Sequence, residues 1–214
     1  MNKLKSAKTA AGNEIELLEL KNAKYDKTVL IIGVFHGDEP DGEFLIRKYL
    51  ENAKNYDGKN RLLVVPCLNP DGKALNRRTN GNGVDLNRNF PTKNWELSGM
   101  DEYYGGKCAG SEIETDFICR IIADFAPDAV LAFHEPYKIV NFDGPATAIA
   151  SKIAQITGYP VQKDIGYPTP GSFGTYCGVE RNIPVITLEL PEKEDKSVLW
   201  NANKGIFSYF ADLF

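Results

Sequence analysis

The 214-residue sequence predicts an α/β fold, a three-layer α/β/α sandwich around a mixed, mostly parallel sheet. Short apolar runs rich in Val, Ile and Leu alternate along the chain with segments of helical periodicity. Such continuous apolar runs are typical of strands that helices cover on both faces. No repeat or linker divides the chain, so we expect residues 1–214 to form a single domain.

Four apolar runs predict the buried strands, and four periodic segments predict the helices between them. The predicted strands are Thr28–Phe35, Arg61–Cys67, Ala129–Phe133 and Pro184–Leu190. The predicted helices are Gly42–Ala53, Glu112–Phe125, Pro145–Thr157 and Ser197–Leu213. In the second helix, apolar residues recur at the spacing of one helical face: Ile113, Phe117, Ile118, Ile121 and Ile122.

The segment Asn69–Met100 differs from the rest of the chain, because it is long, polar and rich in Asn, Arg, Gly and Pro. A loop of this length without secondary structure is uncommon in a compact domain and usually serves a function. We therefore expect it to contribute to a binding or catalytic site.

The composition excludes several classes of function. The chain has 25 Lys and Arg residues and 29 Asp and Glu residues, which gives a net charge of −4. This balance does not indicate a basic surface for nucleic acid or anionic lipid. No apolar run approaches the ~20 residues that span a bilayer. The N-terminal segment lacks the apolar stretch of a secretory signal, so a cytoplasmic protein is expected. The cysteines show no CxxC pair, and we expect free thiols.

The two histidines of the chain, His36 and His134, each follow directly on a predicted strand. Ligands of open α/β sheets bind beyond the carboxyl ends of the strands. Glu39 comes three residues after His36, a spacing that can aim both side chains at one point, whereas the competing Asp38 fits less well. Two histidines and one glutamate are a suitable zinc set with a fourth position for water. We predict one Zn²⁺ per chain at His36, Glu39 and His134.

The polar loop also carries arginines suited to binding anions. The run Gly83–Pro91 contains Asn87 and Arg88, and an arginine fork grips a carboxylate through two parallel hydrogen bonds. An Asn-Arg pair near a zinc ion is thus a candidate clamp for the carboxylate of a substrate. A second arginine, from Arg77-Arg78, could stabilise an oxyanion.

Glu189 lies inside the last apolar strand, where a glutamate is rarely buried unless it is paired or used in function. Alternation along the strand could simply point it to solvent. Facing a metal-bound water, it could instead act as a general base and later protonate a leaving amine.

Taken in order, these motifs resemble the zinc metallocarboxypeptidases. The resemblance rests on the His-x-x-Glu pair, Asn69-Pro70-Asp71-Gly72, the run Gly83–Pro91, the distant His134 and the strand of Glu189. It implies that His36, Glu39 and His134 bind zinc, and that Glu189 is the base. It also implies a peptidase with a three-layer α/β/α fold, acting on a small peptide with a free C-terminal carboxylate.

The same resemblance assigns roles in substrate binding. It implies Asn87 and Arg88 as the carboxylate clamp and Arg78 as the oxyanion stabiliser, with Arg77 as the rival for that place. The mobile active-site tyrosine of the family corresponds best to Tyr167, and Tyr176 is the alternative.

Within the family the chain is most similar to the small bacterial murein peptide amidases, which release meso-diaminopimelate from recycled cell-wall tripeptides. This similarity rests on the runs Ser111–Thr115 and Asn141–Pro145. Ile113 stands where proline is expected, and Glu135 where digestive carboxypeptidases carry serine. We expect Glu135 and the loop Asp164–Tyr176 to lie beside the side chain of the released residue.

Three other functions remain as alternatives: a general carboxypeptidase for α-linked peptides, an N-acyl amino acid deacylase of the aspartoacylase and succinylglutamate desuccinylase type, and a non-catalytic binder of peptidoglycan fragments. The deacylases usually carry a further β-rich C-terminal region, which this chain is expected to lack because it ends soon after Glu189. Binders that have lost activity tend to lose a ligand or the base, and every member of the set is present here.

Overall fold

The fold is a seven-stranded mixed sheet with helices on both faces, in a computed structural model that describes residues 1–163 and 166–213. The strands are β1 (Asn2–Lys8), β2 (Glu14–Leu20), β3 (Thr28–Ile32), β4 (Arg61–Val65), β5 (Ala129–His134), β6 (Tyr137–Asp143) and β7 (Val185–Pro191). The helices are α1 (Asp41–Asn52), α2 (Pro70–Leu75), α3 (Ile113–Phe125), α4 (Thr147–Thr157) and α5 (Lys196–Asp212). The predicted α/β/α architecture is confirmed.

The strand order is β1-β2-β4-β3-β5-β7-β6. The four central strands, β4, β3, β5 and β7, run parallel. The strands outside them, β2 with β1 on one side and β6 on the other, pair antiparallel. The four central strands are those predicted from the apolar runs, with ends that differ by up to three residues. The parallel centre brings the carboxyl ends of β3, β5 and β7 to the same edge of the sheet.

Successive residues of a central strand pack against opposite layers, which explains their unbroken apolar character. Val29 and Ile31 belong to the core under α1, α4 and α5. Leu30 and Ile32 belong to the core that includes the apolar face of α3. Both faces of the sheet are therefore covered, as the sequence predicts.

The structure corrects the expectation of an unstructured segment Asn69–Met100. It contains α2 and a 3₁₀ turn at Leu86–Arg88. Asn69 begins α2 by accepting a hydrogen bond from the Gly72 amide, and Asp85 begins the 3₁₀ turn in the same way at the Asn87 amide. These capping bonds satisfy helix donors locally, which fixes the path of a polar segment without an apolar repeat.

Two smaller points complete the comparison with the sequence. All four cysteines are free, as expected, and Cys67 and Cys177 are buried. Among the described residues, no helix combines the length and the apolar character that crossing a bilayer requires.

Candidate metal centre and active site

The site begins where β3 ends. Val34 has φ 56°, a left-handed conformation that is costly for a β-branched residue and is found mostly where the surrounding structure enforces it. The chain then turns out of the sheet and places the buried His36 at its edge. Gly37 follows, and only glycine fits there, because a Cβ atom would lie 2.0 Å from the carbonyl carbon of Gly72 in α2.

Asn69 ties this turn to the arginine segment. Its side-chain amide donates to the Phe35 carbonyl at 3.2 Å and to the Arg78 carbonyl at 3.3 Å, while its oxygen caps α2. Because Asn69 is fully buried, these bonds are shielded from water. The backbones that carry His36 and Arg78 are therefore held together by one side chain.

The three predicted metal ligands converge. The Nδ1 atom of His36 lies 2.7 Å from Glu39 Oε1, and His134 Nδ1 lies 3.0 Å from Glu39 Oε2. The two Nδ1 atoms are 3.3 Å apart. Donors that share one zinc ion at its usual bond lengths lie about 3–4 Å from each other. Two of the three distances fall in this range and the third is slightly shorter, and a donor set of two imidazoles and one carboxylate suits a zinc ion.

Asp85 contacts the ring nitrogen of His36 that faces away from the other two ligands. It was not recognised as a site residue in the sequence. It is fully buried, and its Oδ1 lies 3.1 Å from His36 Nε2. Its Oδ2 accepts hydrogen bonds from Arg78 Nε at 2.9 Å and Nη2 at 2.8 Å. A carboxylate on the far nitrogen of a ligating histidine fixes the orientation of the ring and raises its basicity. Asp85 therefore orients both His36 and Arg78.

Charges around the triad shift the pKa values of its members. Burial lowers the pKa of His36, but Glu39 and Asp85 raise it to about 9. Burial raises the pKa of Glu39, but the two histidines bring it well below its usual range. A divalent cation would take the place of the proton on His36. The negative charges of Glu39 and Asp85 therefore favour either a protonated His36 or a bound cation at this centre.

The geometry separates the two candidate arginines. Arg78 lies beside the triad, with Nη1 at 3.3 Å from His36 Nδ1 and 3.7 Å from Glu39 Oε1. Arg77 turns away and donates to the carbonyls of Asn80 and Gly81. The structure therefore favours Arg78 over Arg77 for a role at the metal centre. The alternative carboxylate Asp38 is exposed.

The remaining predicted residues line the same cavity of about 150 Å³ as the metal triad. They are Arg78, Asn87, Arg88, Glu135, Tyr167 and Glu189. Asn87 accepts a hydrogen bond from the Phe173 amide through Oδ1, which leaves its NH₂ group to donate. Arg88 is 7% exposed and donates from Nη1 to the Asn87 carbonyl at 2.9 Å.

Glu189 faces the cavity from β7, next to His134 in the sheet. It is 8% exposed, and its Oε2 is buried without a hydrogen-bond partner in the described part of the chain. Burial and the charge of Glu39 raise the pKa of Glu189 to about 8. A cation in the centre would oppose both effects and favour the carboxylate form. The reading in which alternation points Glu189 to solvent is wrong.

The two candidate tyrosines lie in different environments. Tyr167 is 43% exposed at the mouth of the cavity. Tyr176 is 5% exposed, its ring packs at a tilt against Phe90, and its centroid lies 3.4 Å from the guanidinium carbon of Arg181. This packing in the core disfavours Tyr176 as a mobile residue.

Of the loop Asp164–Tyr176, Asp164 and Ile165 lie outside the described residues. Thr169, Ser172, Phe173 and Gly174 line the cavity. Glu135 lines it as well and accepts a hydrogen bond from the Asp41 amide at 2.9 Å. Burial raises the pKa of Glu135 to about 7. Glu135 and the described part of the loop thus line the cavity of the metal triad, and their place beside the side chain of a released residue stays a prediction.

Further polar residues of the cavity were not recognised in the sequence, among them Asn141, Asp143 and Thr187. Asn141 and Asp143 belong to β6, and Asn141 pairs with Thr187 of β7. The run Asn141–Pro145 was noted only for its resemblance to relatives. No local pattern could show that it forms one wall of the site, because that depends on the antiparallel pairing of β6 with β7.

Comparison with known proteins agrees with this geometry. The zinc carboxypeptidase family model matches residues 1–149. Murein peptide amidase A of Escherichia coli K12 is 36% identical over 175 residues, which are 76% of this chain and 70% of that protein. Murein peptide amidase A of Vibrio campbellii is 38% identical over 179 residues, 76% of this chain and 68% of that protein. The crystal structure of murein-tripeptide amidase from Escherichia coli O157 superposes with a TM-score of 0.85 at 29% identity, covering 97% of this chain and 90% of that one. The chain belongs to the zinc carboxypeptidase family.

Proposed function

We propose that this peptide hydrolase uses one zinc ion per chain to release meso-diaminopimelate from the tripeptide L-Ala-γ-D-Glu-meso-diaminopimelate. One observation carries the proposal: a single cavity gathers a His-Glu-His triad, two arginines and an unpaired buried glutamate. Both curated relatives described above are named murein peptide amidase A, which supports the choice of substrate.

The chemistry divides among the residues of the cavity. A zinc ion held by His36, Glu39 and His134 would lower the pKa of a bound water and polarise a carbonyl group. Glu189 takes the proton of the attacking water on its unpaired Oε2 and returns it to the leaving amine. Arg78, which Asp85 orients, presents Nη1 to the oxyanion that forms on the scissile carbonyl.

Asn87 and Arg88 give the enzyme its preference for a chain end. The guanidinium of Arg88 is almost buried and makes one hydrogen bond through Nη1, to the Asn87 carbonyl. The NH₂ group of Asn87 remains a donor beside it. No ion pair within the described part of the chain involves Arg88, and Asp85 acts on it only at longer range. A free carboxylate of the substrate would therefore bind there strongly.

The polar wall of the cavity supports diaminopimelate over an apolar residue. The side chain of diaminopimelate ends in a second carboxylate and an amine. Asp143 carries a carboxylate that burial keeps at a raised pKa, and Gly174 makes room for it, since a Cβ there would lie 2.1 Å from its Oδ2. Asn141 and Thr187 add neutral polar groups. An apolar wall would instead suit aromatic or aliphatic residues.

The proposal also includes a cellular compartment and a domain organisation. We place the enzyme in the cytoplasm, in peptidoglycan recycling, where free tripeptide would be its substrate. We also treat residues 1–214 as one catalytic domain, because β1 and β2 from the start of the chain and β7 from its end join the same sheet.

The test is mass spectrometry of the tripeptide before and after incubation with the zinc-loaded protein. We expect free diaminopimelate and L-Ala-D-Glu, and we expect chelation of the metal to stop their formation. The matched control is the same tripeptide with its terminal carboxylate amidated, which should stay intact.

The alternatives predict different results. Cleavage of α-linked N-benzoyl peptides, with the tripeptide left intact, would establish a general carboxypeptidase. Release of an acyl group from N-acyl amino acids alone would indicate a deacylase. Binding of the tripeptide without any turnover would indicate a peptidoglycan-binding protein.

A further inference from the structure

Tyr103 lies over both arginines of the cavity, although it belongs to neither of their segments. Its ring centroid is 5.1 Å from the guanidinium carbon of Arg78 and 5.8 Å from that of Arg88. It also lines the cavity of the metal triad. The side chain is 46% exposed, so burial of an apolar surface does not account for its position.

The backbone around Tyr103 is fastened to the segment that carries Asn87 and Arg88. The Asp85 amide donates to the Tyr104 carbonyl at 2.8 Å. The Asn89 side chain donates to the Gly105 carbonyl at 2.8 Å. Gly105 packs so closely that a Cβ would lie 2.7 Å from the Arg88 carbonyl oxygen. The backbone that carries the ring is therefore held at a fixed place relative to the arginine segment.

An aromatic ring within about 6 Å of a guanidinium group can act on its flat, weakly hydrated face and leave its N–H edge free to donate. A cation over an aromatic face gains about 0.5–2 kcal/mol, more where water is excluded. Because the negative face of one ring attracts both guanidinium groups, it also offsets part of the repulsion between the two positive charges. Without it, water would reach the exposed faces and compete with a bound carboxylate.

We infer that Tyr103 is a positioning residue that holds Arg78 and Arg88 in the orientation required to bind a free carboxylate. This inference rests on the proposed function, in which Arg88 binds the substrate's carboxylate and Arg78 the oxyanion. The aromatic ring performs the role, and the hydroxyl group does not.

The experiment compares Tyr103→Leu and Tyr103→Phe with a matched control, Tyr25→Leu. Tyr25 is 41% exposed, and its ring lies 5.6 Å from the guanidinium of Arg61, at the opposite edge of the sheet. Both leucine variants thus remove an exposed ring from an arginine. For each zinc-loaded protein, kcat and KM are measured with the tripeptide, and zinc content and Tm are recorded.

We expect Tyr103→Leu to lower kcat/KM by about 3- to 30-fold, chiefly through KM, with normal zinc content. Tyr103→Phe and Tyr25→Leu should remain within about twofold of the unaltered protein, because each keeps the ring over the two arginines. A normal kcat/KM in Tyr103→Leu would overturn the inference. An equal loss in Tyr103→Phe would overturn the role of the ring.

A binding measurement keeps this test separate from the proposed substrate. N-acetyl-L-alanine and its amide are titrated into the zinc-loaded proteins and followed by NMR. Tyr103→Leu should weaken binding of the acid by the same factor and leave the amide unchanged. If the unaltered protein does not cleave the tripeptide, the proposed function fails, and the acid-to-amide comparison alone decides the role of Tyr103.

Discussion

Replacing Asp85 by asparagine should weaken both the metal centre and the folded state. The Asp85 carboxylate meets four donor groups: His36 Nε2, the Asn87 amide, and Nε and Nη2 of Arg78. In Asp85→Asn the amide oxygen can still serve the first two, but its NH₂ group would face the donors of Arg78. The variant therefore retains the shape of the site and loses the negative charge.

Two free energies follow from this geometry. Removing one partner of a buried ion pair costs about 3–5 kcal/mol, which we reduce to about 2–4 because Glu39 lies within 3.7 Å of Arg78 as a substitute partner. Loss of a carboxylate behind a ligating histidine typically lowers metal affinity about 10- to 100-fold. We expect both effects in the same variant.

The measurements are urea unfolding of the metal-free protein and zinc titration against a competing chelator. Asp71→Asn is the control, since Asp71 is another hydrogen-bonded carboxylate, which accepts bonds from Thr9, Ala11 and Asn13 and does not contact the metal triad. It should lose stability and keep its zinc affinity. Zinc affinity in Asp85→Asn within twofold of the unaltered protein would refute the proposed role of Asp85.

Four further outcomes are expected. His134→Ala should lose most of the zinc found by elemental analysis, and full occupancy would contradict its place in the triad. Glu189→Gln should keep zinc and fold but lower kcat about 10²- to 10⁴-fold, since an amide accepts no proton; a near-normal kcat would place the base elsewhere. Arg88→Ala should cost about 2–5 kcal/mol in kcat/KM and have little effect on an amidated ligand. Iodoacetamide at pH 8 should label the exposed Cys108 and spare Cys177, because burial raises the pKa of Cys177 to about 12; mass spectrometry of the labelled peptides tests this.

The sequence predicts the central strands and their helices because their signal is local. Residues such as Val29 and Leu30 are apolar in succession, and that pattern reports burial on both faces of a sheet. The strands β1, β2 and β6 escaped detection. In β1 none of the seven residues is buried, and the strand exists because it pairs with β2. Such pairing with a distant segment leaves little trace in the strand itself.

The sequence by itself also determined which residues are candidates for the metal centre. His134 ends β5, and His36 follows the end of β3 by four residues. These strands are parallel neighbours whose carboxyl ends meet at one edge of the sheet, so the approach of the two histidines follows from the fold class. Glu39 is near His36 in the chain. Each of these positions is fixed by strand order or by short sequence separation.

Only the tertiary structure decided the rest of the site. The resemblance already favoured Arg78 over Arg77, and the contacts of Arg78 with Asp85 and His36 supply the physical reason. The place of Tyr103 depends on hydrogen bonds to a segment well before it in the chain. Arg77 and Arg78 are identical in chemistry, and the polar loop around them has no periodic pattern that distinguishes one from the other. Which one turns inward is settled by the packing of segments that are far apart in sequence, because only there do the partner charges and the shielding from water exist.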